Sequence, residues 1–532
     1  MNYVLSIDVG TSSVRASLYD EEGEAVPEIF SHQSHAPVST PDGGAEMDAE
    51  ALFQRTLACV EQVLARAGDR ARRIAGVGVC TFWHSILGVD ADRRAVTPVL
   101  LWADTRSVGE VEALKHALDE RALHARTGCM LHTSYVAPRL LWAARNRPEW
   151  LSAARGWMSP GEYFFTRLFG RSACGVSMAS GTGMYHQAAE RWDEELLQAL
   201  PVRAEQLNEV VDTLTPFTGL TDEFARRLPA LAGVPWFPAA GDGACSNVGS
   251  GCAAPERVAL MVGTSGALRV MAKAEGGRMK EERGQAERGK AEGGKAGAAD
   301  PGNLHPSSLL PPPSEEPVPP WGLWKYRLDR GRYLLGGALS NGGNLFAWLR
   351  DSLRAPEGEE LERALLRMEP DSHGLTVLPF LAGERCPGWR GEARAAIVGL
   401  SWSTKPVEIM RAGLESVAYR FALVHELLGG VLVPDRQIVA SGGALLASPA
   451  WTQILADALG EKVVLSEEEE ATARGAALLA LEGAGLIPTV SGLPARPGRM
   501  FTPDPERHAR YREARLRQQR LYEALIVQDW KS

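Results

Sequence analysis

One short loop is written twice in this chain, and any fold must accommodate both copies. Residues 5–16 read LSIDVGTSSVRA and residues 260–270 read LMVGTSGALRV. In each, a short apolar run turns on Gly-Thr-Ser and then resumes an apolar strand pattern, which predicts a β-hairpin. The repetition predicts two half-molecules facing one ligand. A glycine at the turn lets backbone come close to that ligand, while Thr and Ser set hydroxyls beside free N–H groups, so the tips suit phosphate oxygens. The residues concerned are Gly10, Thr11 and Ser12 in the first copy and Gly263 and Thr264 in the second. Neither copy carries the Lys that a Walker loop requires.

The copies differ at one chemically decisive position. Asp8 stands two residues before Gly10, whereas the second copy has Met261 there, so only the first hairpin offers a carboxylate. A hard Mg²⁺ on nucleotide phosphates takes one or two protein carboxylates and keeps several waters. Asp8 fits that role. A single Gly-Thr-Ser is an ordinary hairpin turn, and it is the duplication that argues for a ligand.

At 532 residues the chain exceeds what one core supports, which predicts two large domains and an appendage. A net charge of -9 disfavours a general nucleic-acid binder and leaves a small molecule as the expected partner. Seven scattered cysteines without a CxxC pair predict buried free thiols in a reducing cytosol rather than disulfides or a zinc site. The N-terminus shows no basic-then-apolar leader, and no apolar run is long enough to span a bilayer, so a soluble cytoplasmic protein with no membrane partner is expected.

The expected domains are 1–240, 241–500 and a charged C-terminal helix within 501–532. In the first block, strands are predicted at 4–9, 16–19 and 74–81 and helices at 49–67, 108–117 and 135–144. The second α/β block begins near Phe237, with strands at 258–262 and 438–440 and helices at 344–354, 406–428 and 450–459. Residues 272–320 are rich in Glu, Lys, Arg and Gly and then in Pro and Ser. That composition cannot bury a core, and a solvated inserted loop is favoured over a regulatory or partner-binding arm. The helix at 505–525 is expected to pack on the second domain through Tyr511, Leu516 and Leu521.

Chemistry concentrates in a few segments. PAAGDGACSNVGSG at 238–251 holds one acidic residue, Asp242, between two glycines. A carboxylate on such a turn can accept a hydroxyl proton during phosphoryl transfer, although Asp-Gly also serves simply as a turn. CTFWHS at 80–85 and LWADTRS at 101–107 each follow a predicted strand or turn. Trp faces stack on sugar C–H faces, and His84, Asp104 and Arg106 can pair with hydroxyls or a carboxylate; equally, Asp-x-Arg is often a local salt bridge. Ser441-Gly442-Gly443-Ala444 and Ser340-Asn341-Gly342-Gly343 each precede a helix, where glycines admit an adenine or simply cap the helix.

Together these segments resemble the FGGY family of carbohydrate kinases over nearly the whole chain apart from 272–320. IDVGTSSVRA, WADTR, SMASGTGMY, GDGACSNVGSG, VGTSGALR, LPFLAGERCPGW and VASGGALLASPAW occur in the family's order. The resemblance implies an α/β fold of two ribonuclease H-like, actin-like ATPase domains with a cleft between them, using ATP and Mg²⁺. It implies Asp242 as general base, Asp8 on the metal and Arg15 at the phosphates. Thr11 and Thr264 would lie in the phosphate hairpins and Gly442 and Gly443 by the nucleotide. Sugar contacts would fall to His84, Trp102, Asp104 and Arg106.

Within the family the chain is most similar to gluconate kinases, with Arg106 or Arg269 offered to the acceptor's carboxylate. Phe82-Trp83 is expected to reshape the sugar pocket, and Cys386 replaces the usual Ala. Xylulose, other ketoses and glycerol are the alternative acceptors, and a homodimer is left open. A different class, an actin-like ATPase without an acceptor, would have no use for the GDGA, WHS and WADTR segments.

Overall fold

The strand that begins the chain, Tyr3–Val9 (β1), is buried at every position, as befits a central strand covered on both faces. In the computed structural model, which describes residues 1–274 and 317–528, it organises the first sheet. It pairs antiparallel with Ser13–Asp20 (β2), which pairs in turn with Ala25–Ser34 (β3). On its other side it runs parallel to Ile74–Thr81 (β4), which takes the short strand Ala240–Gly241 (β5). The order is β5-β4-β1-β2-β3.

The second sheet contains Arg257–Val262 (β6), Gly266–Lys273 (β7), Trp324–Arg327 (β8), Arg332–Leu339 (β9), Gln437–Ser441 (β10), Val463–Ser466 (β11) and Pro497–Phe501 (β12). Its order is β8-β9-β7-β6-β10-β11-β12. The inner run β9-β7-β6-β10-β11 repeats the first sheet strand for strand, with two antiparallel pairs on one side of β6 and two parallel pairs on the other. The repeated loop is therefore the tip of a repeated domain, in the two-domain α/β architecture that the resemblance implies.

The helices that matter below are Ala49–Ala67 (α1), Val136–Asn146 (α2), Asp242–Gly249 (α3), Gly343–Ser352 (α4), Pro406–Leu428 (α5), Pro449–Leu459 (α6), Ala471–Gly483 (α7) and Pro505–Tyr522 (α8). The α1 helix shows why the strongly periodic segments are legible. Asp48 caps it by accepting from the Ala51 N–H at 2.7 Å, and Leu52, Phe53, Thr56, Leu57, Val60 and Val63 recur on one buried face.

The two halves meet through helices α3 and α7 at glycines. A Cβ at Gly475 would collide with the Cys245 carbonyl oxygen, and one at Gly249 would collide with that of Ala471. Backbone thus lies directly on backbone. Because the atom that a Cβ would strike is backbone, with no rotamer that can yield, Gly475→Ala is expected to lower stability by about 3 kcal/mol. Thermal unfolding checks this, and an unchanged Tm would contradict it.

Several expectations shift. The first sheet runs through Gly241, so the boundary expected at 240 falls inside β5, and the second sheet runs to Phe501, one residue past 500. Asp242 is the first residue of helix α3 rather than part of a turn. Lys273 still belongs to strand β7, and residues 275–316, the bulk of the predicted insert, lie outside the described residues. On α8, Tyr511 is buried as expected and Leu521 packs against a small cluster with Phe380, but Leu516 is exposed. The buried stripe is Tyr511, Ala514, Gln518 and Tyr522, at helical spacing, and Leu516 falls off it. All seven cysteines are buried and free. Among the described residues, no helix is long and apolar enough to cross a membrane.

Candidate active site

Both hairpins end at one cavity of about 330 Å³ between the sheets. Thr11 reaches it from the first, and Met261, Ser265 and Gly266 from the second. In the first hairpin Val9 pairs with Val14 and Asp8 with Arg15; in the second Val262 pairs with Gly266 and Met261 with Ala267. The second turn is one residue tighter. Thr264 and Ser12 are exposed at the tips, and Gly10 is held by its N–H to Ser13 O at 2.9 Å.

Asp8 lies buried at the root of the first hairpin. The Cys80 thiol donates to its Oδ1 at 3.4 Å, and Arg15 Nη1 stands 3.7 Å from its Oδ2 while Arg15 Nε reaches Glu470 at 3.4 Å. Burial pushes the Asp8 carboxyl up to about 6, against the Cys80 thiol and Arg15, and the negative charges of Asp242 and Glu470 push the same way. A buried carboxylate so poorly compensated suits a cation.

Asp242 lines the cavity at the start of α3, where its Oδ1 accepts from the Gly243 N–H at 2.7 Å. Burial raises its carboxyl above the ordinary range, opposed by that hydrogen bond and by the guanidinium groups of Arg269 and Arg385. The flanking glycines have a packing cause. A Cβ at Gly241 would collide with the Trp83 indole, and one at Gly243 would stand 2.6 Å from it. Trp83 is fixed in this slot by its Nε1–H to Ser177 O at 3.0 Å and lines the cavity, whereas Phe82 sits in the core.

At the far end stand His84, Trp102, Tyr135, Tyr326, Arg385 and Trp389. The His84 ring donates from Nδ1 to the Gly181 carbonyl, which leaves Nε2 as an acceptor, and burial pushes its pKa down to about 3 so that it stays neutral. Its backbone adopts φ 61°, a conformation unusual for a side chain of this size. That strand end is pinned by Arg139 of α2. This fully buried guanidinium donates to the carbonyls of Tyr135 at 3.1 Å, Ser134 at 3.0 Å, Leu100 at 3.0 Å, and to those of His84 and Leu101. Trp102 donates to Thr11 Oγ1 at 3.3 Å, linking the far end to the hairpin.

Asp104 and Arg106 are not brought into the cavity. They form a buried pair, Nη2 to Oδ2 at 2.6 Å, with Glu46 also 2.6 Å from the same nitrogen and the Trp142 ring 4.1 Å from the guanidinium. The local salt bridge wins over the sugar contact because Nε and Nη2 of Arg106 already donate to Asp104 and Glu46. Cys386 is packed against Gly337 and does not line the cavity.

Arg269 is buried and Arg385 half-buried at the cavity, and neither has a carboxylate partner within ion-pair distance among the described residues. Arg269 donates to Gly243 O at 2.8 Å and Arg385 to Leu339 O at 3.0 Å, while Arg385 Nε has no partner among the described residues. Arg385 is the residue that sequence reasoning passed over, although the LAGERCPGW segment contains it. Tyr135 and Tyr326, joined hydroxyl to hydroxyl at 2.7 Å, were missed for want of any local signal.

A second, larger cavity of about 830 Å³ opens beside the first and is walled by Phe346, Leu446 and Trp451. The glycine turns separate the two. Gly442, at φ 99°, packs on the Val262 carbonyl, and Gly343 N donates to Gly263 O at 2.8 Å, so the SGG and SNGG turns brace the second hairpin. Gly342 lies against Ser265 in the same way, but a Cβ at Gly443 would meet nothing within 4 Å. Gly443 therefore faces open space.

The chain matches the FGGY family of carbohydrate kinases, N-terminal domain, over residues 3–249 and its C-terminal domain over residues 313–484. It is 28% identical over 502 residues to a gluconokinase of Bacillus subtilis (strain 168), covering 91% of this chain and 88% of that one. Gluconate kinase from Lactobacillus acidophilus superposes with a TM-score of 0.83 at 26% identity, covering 98% of each chain. Ligand-bound xylulose kinase from the same organism superposes at 0.82, also at 26% identity, covering 99% of this chain and 98% of that one.

Proposed function

Because the chain belongs to the FGGY family of carbohydrate kinases, and is thus a phosphotransferase with an alcohol acceptor, we propose that its acceptor is a sugar acid, D-gluconate foremost. One observation carries this reading: the two cavity guanidinium groups, Arg269 and Arg385, have no carboxylate partner among the described residues. Asp242 acts on these guanidinium groups only from beyond ion-pair distance, and a ligand carboxylate would supply the contact partner that they lack. Glycerol or a ketose would leave both unpaired. Arg106, the other arginine offered to the acceptor, already belongs to Asp104 and Glu46.

Asp242 accepts the proton of the attacking hydroxyl, and Arg269, together with the Gly243 N–H, favours the ionised carboxylate that this requires. His84 Nε2 accepts from an acceptor hydroxyl, and Trp83 and Trp102 shield the C–H faces. The hairpin tips, Gly10 to Ser12 and Gly263 with Thr264, hold phosphate oxygens, and the nucleotide base lies by Gly442 and Gly443 toward the larger cavity. Asp8, buried and weakly compensated, would hold Mg²⁺ through water; when bound, that ion shields phosphate charge. Arg15 bridges Asp8 and Glu470 at the same end.

The test is ADP release by the purified protein with ATP and Mg²⁺ in the presence of D-gluconate, D-xylulose, L-ribulose, glycerol or no acceptor. Stimulation by D-gluconate well above the others is the expected result. Preference for a ketose or glycerol would overturn the acceptor reading, and turnover independent of acceptor would restore the ATPase one.

A further inference from the structure

Arg385 and Trp389 reach the cavity from one short loop, 383–391, whose hub is the buried carboxylate of Glu384. The loop closes on itself through Glu384 N–H to Arg390 O at 2.9 Å and Trp389 N–H to Arg385 O at 2.6 Å. Glu384 Oε1 accepts from the Gly388 N–H at 3.3 Å and from Arg420 of α5. Its other oxygen accepts from the hydroxyl of Tyr522, the last residue of α8, at 2.7 Å. Tyr522 inserts so closely that a Cβ at Gly388 would collide with its hydroxyl. Its ring packs edge-on to Phe380, and the Arg420 guanidinium lies 5.1 Å from its centroid.

A carboxylate this deep is tolerable only when its oxygens are satisfied, and the C-terminal helix supplies one of the donors. We infer that Tyr522 is a positioning residue for the acceptor site: by holding Glu384, its hydroxyl sets where Arg385 and Trp389 stand in the cavity. The C-terminal helix is then part of the acceptor-binding apparatus, though it contributes no atom to the cavity. This rests on the reading that the acceptor meets Arg385.

Tyr522→Phe keeps the ring and its packing and removes only the hydroxyl. It is expected to raise KM for D-gluconate about tenfold while KM for ATP and kcat at saturating acceptor stay within about twofold. Glu384→Gln should move the same parameter in the same direction. Leu521→Ala serves as the control for mere destabilisation, because Leu521 packs against the same apolar cluster and its side chain has no hydrogen-bonding group to offer Glu384. It should lower Tm with KM for D-gluconate unchanged. An unchanged acceptor KM in Tyr522→Phe, or equal rises for ATP and acceptor, would overturn the inference. Should the wild-type protein prefer D-xylulose or glycerol, the sugar-acid reading fails separately, and the same comparison is made with that acceptor.

Discussion

Asp242→Asn is expected to cut kcat about a thousandfold while leaving KM for ATP and acceptor within a few-fold. The substitution is nearly isosteric. The amide oxygen can still accept from the Gly243 N–H that now meets Asp242 Oδ1 at 2.7 Å, so the start of helix α3 and the Trp83 slot should persist. What disappears is the capacity to take a proton. The pH profile gives the second readout. Because burial raises the Asp242 carboxyl, its active, ionised form is lost as pH falls through a higher value than an ordinary aspartate would show. The acid limb of kcat/KM should report that group and vanish in the Asn variant. Near-normal turnover would exclude Asp242 as the base.

Arg385→Met should raise KM for D-gluconate about a hundredfold, which corresponds to the loss of one charge-assisted interaction of about 3 kcal/mol. Neutral acceptors separate this from general damage. Glycerol and D-xylulose have no carboxylate, so their KM values should change far less, and discrimination for the acid should collapse. Arg385→Lys is expected to recover only part of the loss, since a point charge cannot reproduce the planar fork that grips two carboxylate oxygens. Equal losses for acid and neutral acceptors would show that Arg385 shapes the cavity without reading charge. Unchanged kinetics with D-gluconate would remove it from the site.

The residues that were legible in the chain share one property: their signal is local. The Gly-Thr-Ser hairpins, the apolar stripe of α1 and the boundaries of α5 are written within a few turns or strand lengths, where periodicity and turn chemistry act. Asp8 stood out against Met261 because the two hairpins could be compared residue by residue, and His84 and Trp102 because they sit beside strand ends. Asp104 and Arg106 show the limit. Their spacing served a sugar contact and a salt bridge equally, and only the arrival of Glu46 at 2.6 Å and the Trp142 ring at 4.1 Å made the pair structural.

The sequence by itself determined the duplicated α/β architecture, the family and Asp242 as the one acid of the 238–251 segment, because each is encoded by short-range pattern. Tertiary structure alone decided which charges are spent and which are free. Arg106 is neutralised by carboxylates two and sixty residues away, while Arg385, half-buried at the cavity, keeps an Nε with no partner among the described residues. The role of a charged side chain is set by what stands within about 3 Å of it, an interaction that falls off with distance in space and takes no account of distance along the chain.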